Sequence, residues 1–141
     1  MTRRILVLLI ALALLGPVTA WAADYQVIVH STNPTDSLTR EQLGKMFLKK
    51  IPKWDTGTPV LPVDQLPNSS TRAAFTKIVH GKAVSAVASY WQQQIFAGRD
   101  VPPAEKAGDA AILAFVKANP GAIGYVSGEA TIDGVKVLAI R

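Results

Sequence analysis

The densest group of chemistry-bearing residues is Asn68-Ser-Ser-Thr-Arg72. It follows the short apolar stretch Val60-Leu-Pro-Val63 and precedes a helical pattern carrying Phe75, Ile78 and Val79. Small hydroxyl residues therefore stand where a helix begins. The first N–H groups of a helix have no partner within it, and their partial positive charge favours an anion. Ser69, Ser70 and Thr71 would add hydroxyl donors. Arg72 would add a full charge on a fork matched to carboxylate or phosphate. Open α/β sheets also gather ligands at strand C-termini. A plainer role competes: Ser69 or Ser70 as a helix cap, and Arg72 as a solvated first-turn residue.

Other chemistries find little support. The chain has no cysteine and two histidines, which excludes thiolate zinc sites, iron–sulfur clusters and a cysteine nucleophile. His30 and His80 fall on different elements, and His80, just before Gly81, reads as a C-terminal helix residue. Glu41, Glu105 and Glu129 are scattered and read as solvated surface groups. No nucleophile elbow, Walker loop or dinucleotide fingerprint is present. The expectation is a binding protein with no catalytic residues, metal or cofactor. A second candidate surface is Arg99-Asp-Val-Pro-Pro103, with Trp54 and Trp91 as groove-lining residues.

The elements that must position these residues follow from pattern. Tyr25–Ser31 is β-branched and partly alternating, hence a strand ended by Asn33-Pro34. Thr39-Arg-Glu-Gln42 is a capping box, and Leu43, Met46 and Phe47 give the helix after it one apolar face. Pro62 demotes the strand at Val60–Val63 toward an edge or an early stop, with Asp64–Asn68 as a loop. Gly81 should end the Phe75 helix. A third helix over Ala83–Phe96 would bury Val84, Val87, Ala88, Trp91 and Ile95. Asp109 can cap a fourth, carrying Ile112, Phe115 and Val116 and ended by Asn119-Pro-Gly121. Ala122–Val126 and Val135–Ile140 complete the set as strands joined through Asp133-Gly134. The order β-α-β-α-α-α-β-β predicts an α/β domain with a mixed sheet.

The N-terminus has a different logic. Arg3-Arg4 precedes an unbroken apolar run from Ile5 to Leu15, then Gly16-Pro17 and Ala20-Trp-Ala22. That run rises only about 16 Å as a helix against a bilayer core of roughly 30 Å. It reads as a cleaved signal peptide over residues 1–22, with one domain over 23–141 working outside the cytoplasm. The formal net charge is +5 for the whole chain. Loss of Arg3 and Arg4 leaves a mild, dispersed basic excess that does not suggest nucleic acid.

Several segments occur together in one order: Leu38-Thr-Arg-Glu-Gln-Leu-Gly-Lys-Met-Phe-Leu-Lys-Lys50, the Trp54 turn, Leu61-Pro-Val63 and Ser69-Ser-Thr71 with Phe75. Ile95-Phe-Ala-Gly-Arg-Asp-Val-Pro-Pro103 and Asn119-Pro-Gly-Ala-Ile-Gly-Tyr-Val126 follow them. The set resembles the phosphate ABC-transporter substrate-binding protein family, in particular its small secreted members, over nearly all of residues 25–140. The resemblance implies a periplasmic-binding-protein-like (type II) α/β fold, its mixed sheet flanked by helices. Full-length members close two lobes on the anion, so this chain would supply a single lobe. The implied ligand is inorganic phosphate or a related oxyanion. The implied partner is an ABC permease or another envelope protein, in phosphate uptake or sensing in the periplasm. The family's loop reads approximately Arg-Ser-Asp-Gly-Ser-Gly-Thr. Its last four residues fall on Asn68, Ser69, Ser70 and Thr71, its arginine on Gln65 and its aspartate on Pro67, with Arg72 out of register.

Three or four charge-assisted hydrogen bonds contribute roughly 1.5–3 kcal/mol each. Association costs at least about 4 kcal/mol. A one-sided site at Asn68, Ser69, Ser70, Thr71 and Arg72 is thus expected to bind only in about the millimolar to high-micromolar range. Tighter capture would need a second wall, from a homodimer or another protein. The alternative on the same fold is a ligand-free interaction module with an exposed apolar patch around Trp54 or Trp91.

Overall fold

The computed structural model describes residues 24–141; the segment read as a signal peptide lies outside them. The elements run β1 (Tyr25–His30), β2 (Ser37–Leu38), α1 (Arg40–Phe47), β3 (Leu61–Gln65), α2 (Ser70–His80) and α3 (Val84–Phe96). They continue as β4 (Ala104–Lys106), α4 (Asp109–Ala118), β5 (Ala122–Ser127), β6 (Val135–Val137) and β7 (Ala139–Ile140).

Period-two alternation builds two cores on one sheet. Val27 and Val29 of β1, with Ile123 and Tyr125 of β5, face α1 and α2, where Leu43, Met46, Phe47 and Phe75 meet them. Ile28, Ala122 and Val126 point the other way and pack with Val63 beneath Ile112 and Val116 of α4. Gly124 belongs to that second face: a Cβ there would come within 2.9 Å of both Ile112 and Val63, so glycine lets α4 settle onto the sheet. The main sheet has the order β4-β3-β5-β1-β6. β3 is parallel to both of its neighbours, whereas β1 is antiparallel to β5 and β6, giving the expected mixed sheet.

Pro62 does not put β3 at the sheet's edge. β5 pairs with Leu61 and Pro62, while β4 pairs only with Val63, Asp64 and Gln65. The proline thus sits where β3 has one neighbour, and its missing N–H interrupts no ladder with β4. The strand then runs two residues further than expected, taking Asp64 and Gln65 from loop into sheet. The single C-terminal strand divides instead into β6 and β7: Leu138 turns into the core between them and donates its N–H to Val27 O at 2.9 Å.

The Thr39–Gln42 capping box forms reciprocally, and Ser69 caps α2 while Gly81 ends it in the left-handed region at φ 64. α3 departs from expectation. It buries only Val87 and Trp91, leaving Ala88 and Ile95 exposed, because it packs on α2 at the margin of the domain and touches no strand closely. Asp109 is not the cap of α4. Gly108 occupies that position, and the Asp109 carboxylate turns toward other partners.

His80 lies edge-on to Phe75 with ring centroids 6.0 Å apart. Burial, helped by the nearby Lys82 charge, pushes its imidazole down to about 4. An unfolded histidine takes up its proton near pH 6.5; the folded one resists until about 4. The unfolded state therefore binds more protons in that window, and stability falls as pH drops through it. Urea denaturation should show a loss of about 1–2 kcal/mol from pH 7 to 4.5 that a His80→Gln variant lacks, after discounting for partial exposure.

Candidate functional site

The start of α2 is fixed by a polar strap that spans four elements. Ser69 accepts the Arg72 N–H on its Oγ at 3.2 Å and donates its own proton to Gln65 Oε1 at 2.7 Å. Gln65 Nε2 donates to Asp109 Oδ1 at 2.9 Å and to Tyr125 O at 3.2 Å. Asp109 also accepts the Ser127 N–H at 3.0 Å and the Ser127 hydroxyl at 2.7 Å. The strap ties the C-terminal ends of β3 and β5 to the N-terminal ends of α2 and α4. Gln65 is buried within it and neutral, at the position the resemblance aligned with an arginine.

Arg72 does not reach toward solvent. It is 7% exposed. Its Nη1 donates to Gln65 O and to Glu105 Oε2, both at 2.8 Å, and its Nη2 lies 3.9 Å from Asp64 Oδ2. Asp64 also accepts the Tyr125 hydroxyl proton at 2.8 Å. Burial pushes the Asp64 carboxyl up, while Arg72 and the Tyr125 hydroxyl pull it back. The Tyr125 phenol is raised, first by burial and then by the Asp64 charge. Arg72 is therefore corrected from a ligand-facing charge to an internal one. Its backbone N–H belongs to the cap and its guanidinium to β3 and β4. Glu105 is exposed, as read from sequence, and serves at the same time as the ion-pair partner of Arg72.

What faces solvent is a hollow of about 380 Å³ lined by Ser70, Thr71 and Ala74 of α2, Ser127, Gly128 and Glu129 after β5, and Asp24. The Ser69 N–H donates to Leu66 O, and the Arg72 and Ala73 N–H groups to Ser69 Oγ and O. Among the described residues this leaves the Ser70 and Thr71 N–H groups as the donors of the first turn. Asn68 is exposed on the preceding turn and Ser69 is turned to Gln65, so of the five sequence candidates the hollow unites Ser70 and Thr71.

The Ser127–Glu129 wall was not read from sequence. It is set by the pairing of Tyr25 with Ser127 and by Gln26, whose amide donates to Ser127 O and Ala130 O at 3.1 Å. Trp54 borders a small hollow with Thr32, Asn33, Pro34, Thr56, Thr58 and Pro120, whereas Trp91 packs on the buried side of α3. Each is 5% exposed, and Trp54 Nε1 donates to Gly121 O at 2.9 Å. No cluster of three or more His, Asp or Glu residues suited to a metal ion occurs among the described residues.

A mixed sheet flanked by helices, with a helix N-terminus opening on a shallow hollow, defines a single α/β lobe. The chain matches the family model described as the PBP superfamily domain over residues 7–137, and it belongs to that family. No curated protein matches it. Among solved structures it is similar to a Clostridium perfringens protein described as a phosphate ABC transporter substrate-binding protein with bound phosphate. The identity is 27% and the TM-score 0.67, over 83% of this chain and 44% of that one. An ABC-type phosphate transport receptor from Vibrio cholerae shares the fold at 19% identity and TM-score 0.67, over 83% of this chain and 46% of that one. PstS from Borrelia burgdorferi does so at 11% and 0.56, over 84% and 47%. The chain thus spans less than half the length of these structures.

Arg72→Met should destabilise the fold by about 3 kcal/mol in urea denaturation, because Asp64 is left buried without its counter-charge. Adding Asp64→Asn should restore about 1 kcal/mol or more by removing the orphaned charge. An Arg72→Met protein as stable as the parent contradicts the internal role.

Proposed function

We propose that this domain binds phosphate or a related oxyanion weakly in the hollow at the start of α2. The observation that carries the reading is the union of the Ser70 and Thr71 donors, N–H and hydroxyl, with the open wall after β5. The relative with bound phosphate, at 27% identity, supports it. Ser69 holds the helix terminus in place and Asn68 shapes its approach. Arg72 acts through the cap rather than as a direct ligand. The domain works outside the cytoplasm after loss of residues 1–22. It acts by binding rather than by catalysis, as an accessory to phosphate uptake or sensing beside an ABC permease or another envelope protein. A second copy or another protein would supply the missing wall.

Two carboxylates, Asp24 and Glu129, also border the hollow. They oppose a fully deprotonated anion through like-charge repulsion and accept a hydrogen bond from an oxyanion that keeps a proton. Phosphate at neutral pH keeps one or two protons; sulfate keeps none. A ligand-free interaction module on the same fold is the second reading, and the same two carboxylates favour it.

Isothermal titration of residues 24–141 should give a phosphate Kd in about the millimolar to high-micromolar range, with sulfate weaker. At a tenfold excess over Kd, phosphate should add about 1.4 kcal/mol of stability, read as a rise in Tm. Ser70→Ala with Thr71→Ala should weaken binding by about tenfold or more. No heat and no shift in Tm at about 10 mM phosphate would leave the interaction module as the better reading.

A further inference from the structure

α3 contains no charged residue across Val84–Phe96. It ends in an apolar tip. Phe96 is 96% exposed, Ile95 52%, and Val101, beyond the turn at Gly98, 58%. Three large apolar side chains exposed within seven residues gain nothing from the fold that displays them.

Cations flank α3 and the loop that follows it. Lys49 Nζ lies 3.9 Å from Asp100 Oδ1, which places the C-terminal end of α1 beside the 97–101 loop. Lys50 Nζ stands 6.0 Å from the centroid of the Tyr90 ring on α3. Lys50 lines a small hollow with Tyr90, Val87 and His80, while Lys82 stands at the opposite, N-terminal end of α3. Arg99 is exposed on the loop itself. The loop's own carboxylate, Asp100, is taken by Lys49 and by the Val101 N–H at 2.8 Å. His80 is held neutral by burial and adds no charge.

We infer that this flank docks on an anionic lipid surface. Ile95, Phe96 and Val101 enter at headgroup level, and Lys50 and Arg99 lie over lipid phosphates. Apolar side chains aimed at the acyl boundary inside a basic rim are what such a surface rewards, and neither feature suffices alone. Charge decides against a second copy of this chain, which would bring two basic flanks together. The inference is independent of the hollow at α2, which is formed by other residues.

The test is co-sedimentation of residues 24–141 with vesicles. That span holds every strand, helix and core residue named above, and it omits the apolar run Ile5–Leu15, which would partition by itself. Vesicles of phosphatidylcholine mixed with phosphatidylglycerol should bind the domain and release it as salt rises. Phosphatidylcholine alone should bind it far less. Phe96→Ser should reduce binding by about tenfold or more. Lys50→Glu with Arg99→Glu should reduce it by a similar factor. Both variants should keep the parent's Tm and phosphate titration. Equal binding to uncharged vesicles, or none to anionic ones, overturns the inference. So does sedimentation showing a parent dimer that Phe96→Ser makes monomeric while vesicle binding is unchanged.

Discussion

A guanidinium under a helix must be neutralised, and around Arg72 that requirement organises one end of the molecule. Removing a charge from water is costly unless opposite charge and hydrogen bonds replace the solvent. Asp64 at the end of β3 and Glu105 on β4 supply that charge, and Gln65 O accepts the remaining hydrogen bond. The partners come from two strands, β3 and β4. The group therefore fixes α2 against β3 and holds the short strand β4 in register alongside. Tyr125 links it to the apolar interior: its hydroxyl binds Asp64, and its ring stacks on Phe75 at 3.9 Å and 6°. Polar strap and aromatic core are thus joined through one side chain, and a change in either is felt at the α2 terminus.

The same arrangement governs what the solute-facing surface can do. An arginine free to approach a ligand would make the hollow strongly electropositive. With Arg72 turned inward, the field at the hollow comes from helix N–H groups and hydroxyls, opposed by Asp24 and Glu129. Partial charges at a helix terminus contribute about 0.3–1 kcal/mol at an exposed site. On the proposed reading, that balance would favour weak, readily reversible binding of a protonated oxyanion over tight capture.

Much of the architecture was legible because it is local. The Thr39–Gln42 box, the Ser69 cap, the left-handed Gly81 stop and the alternation in β1 and β5 each depend on residues within a few positions. Asn119-Pro-Gly121 ended α4 as read, for the same reason. Short strands were not legible. β2, β4 and β7 are two or three residues long and exist because a neighbour offers them a ladder, which no window of sequence contains. The candidate site divides in the same way. Ser70 and Thr71 were found from the helix start. The inward turn of Arg72 was hidden in a contact with a residue 33 positions away, and the Ser127–Glu129 wall in strand register. Trp91 misled, and Trp54 only borders a small hollow, because a large ring with one donor suits a half-open groove and a core equally well. Trp54 found its acceptor in Gly121 O, across 67 residues.

Gly121 shows how far such distant contacts reach. It accepts from both Trp54 Nε1 and the Leu61 N–H, and a Cβ on it would collide with Pro59 O. Bare backbone at that point lets the Trp54 loop close over the entry to β3, so the strand begins where Pro62 still has one neighbour only. From there β3 extends to Asp64 and Gln65 and delivers both to the polar strap. A glycine at one end of the sheet, demanded by packing, thus sets the strand whose other end holds the buried charge. The two ends also separate the surfaces. α3 packs on α2 rather than on the sheet, so its uncharged face and the lysines of α1 remain outside that charge balance. The proposed oxyanion hollow and the apolar-tipped flank therefore stand on separate parts of the surface.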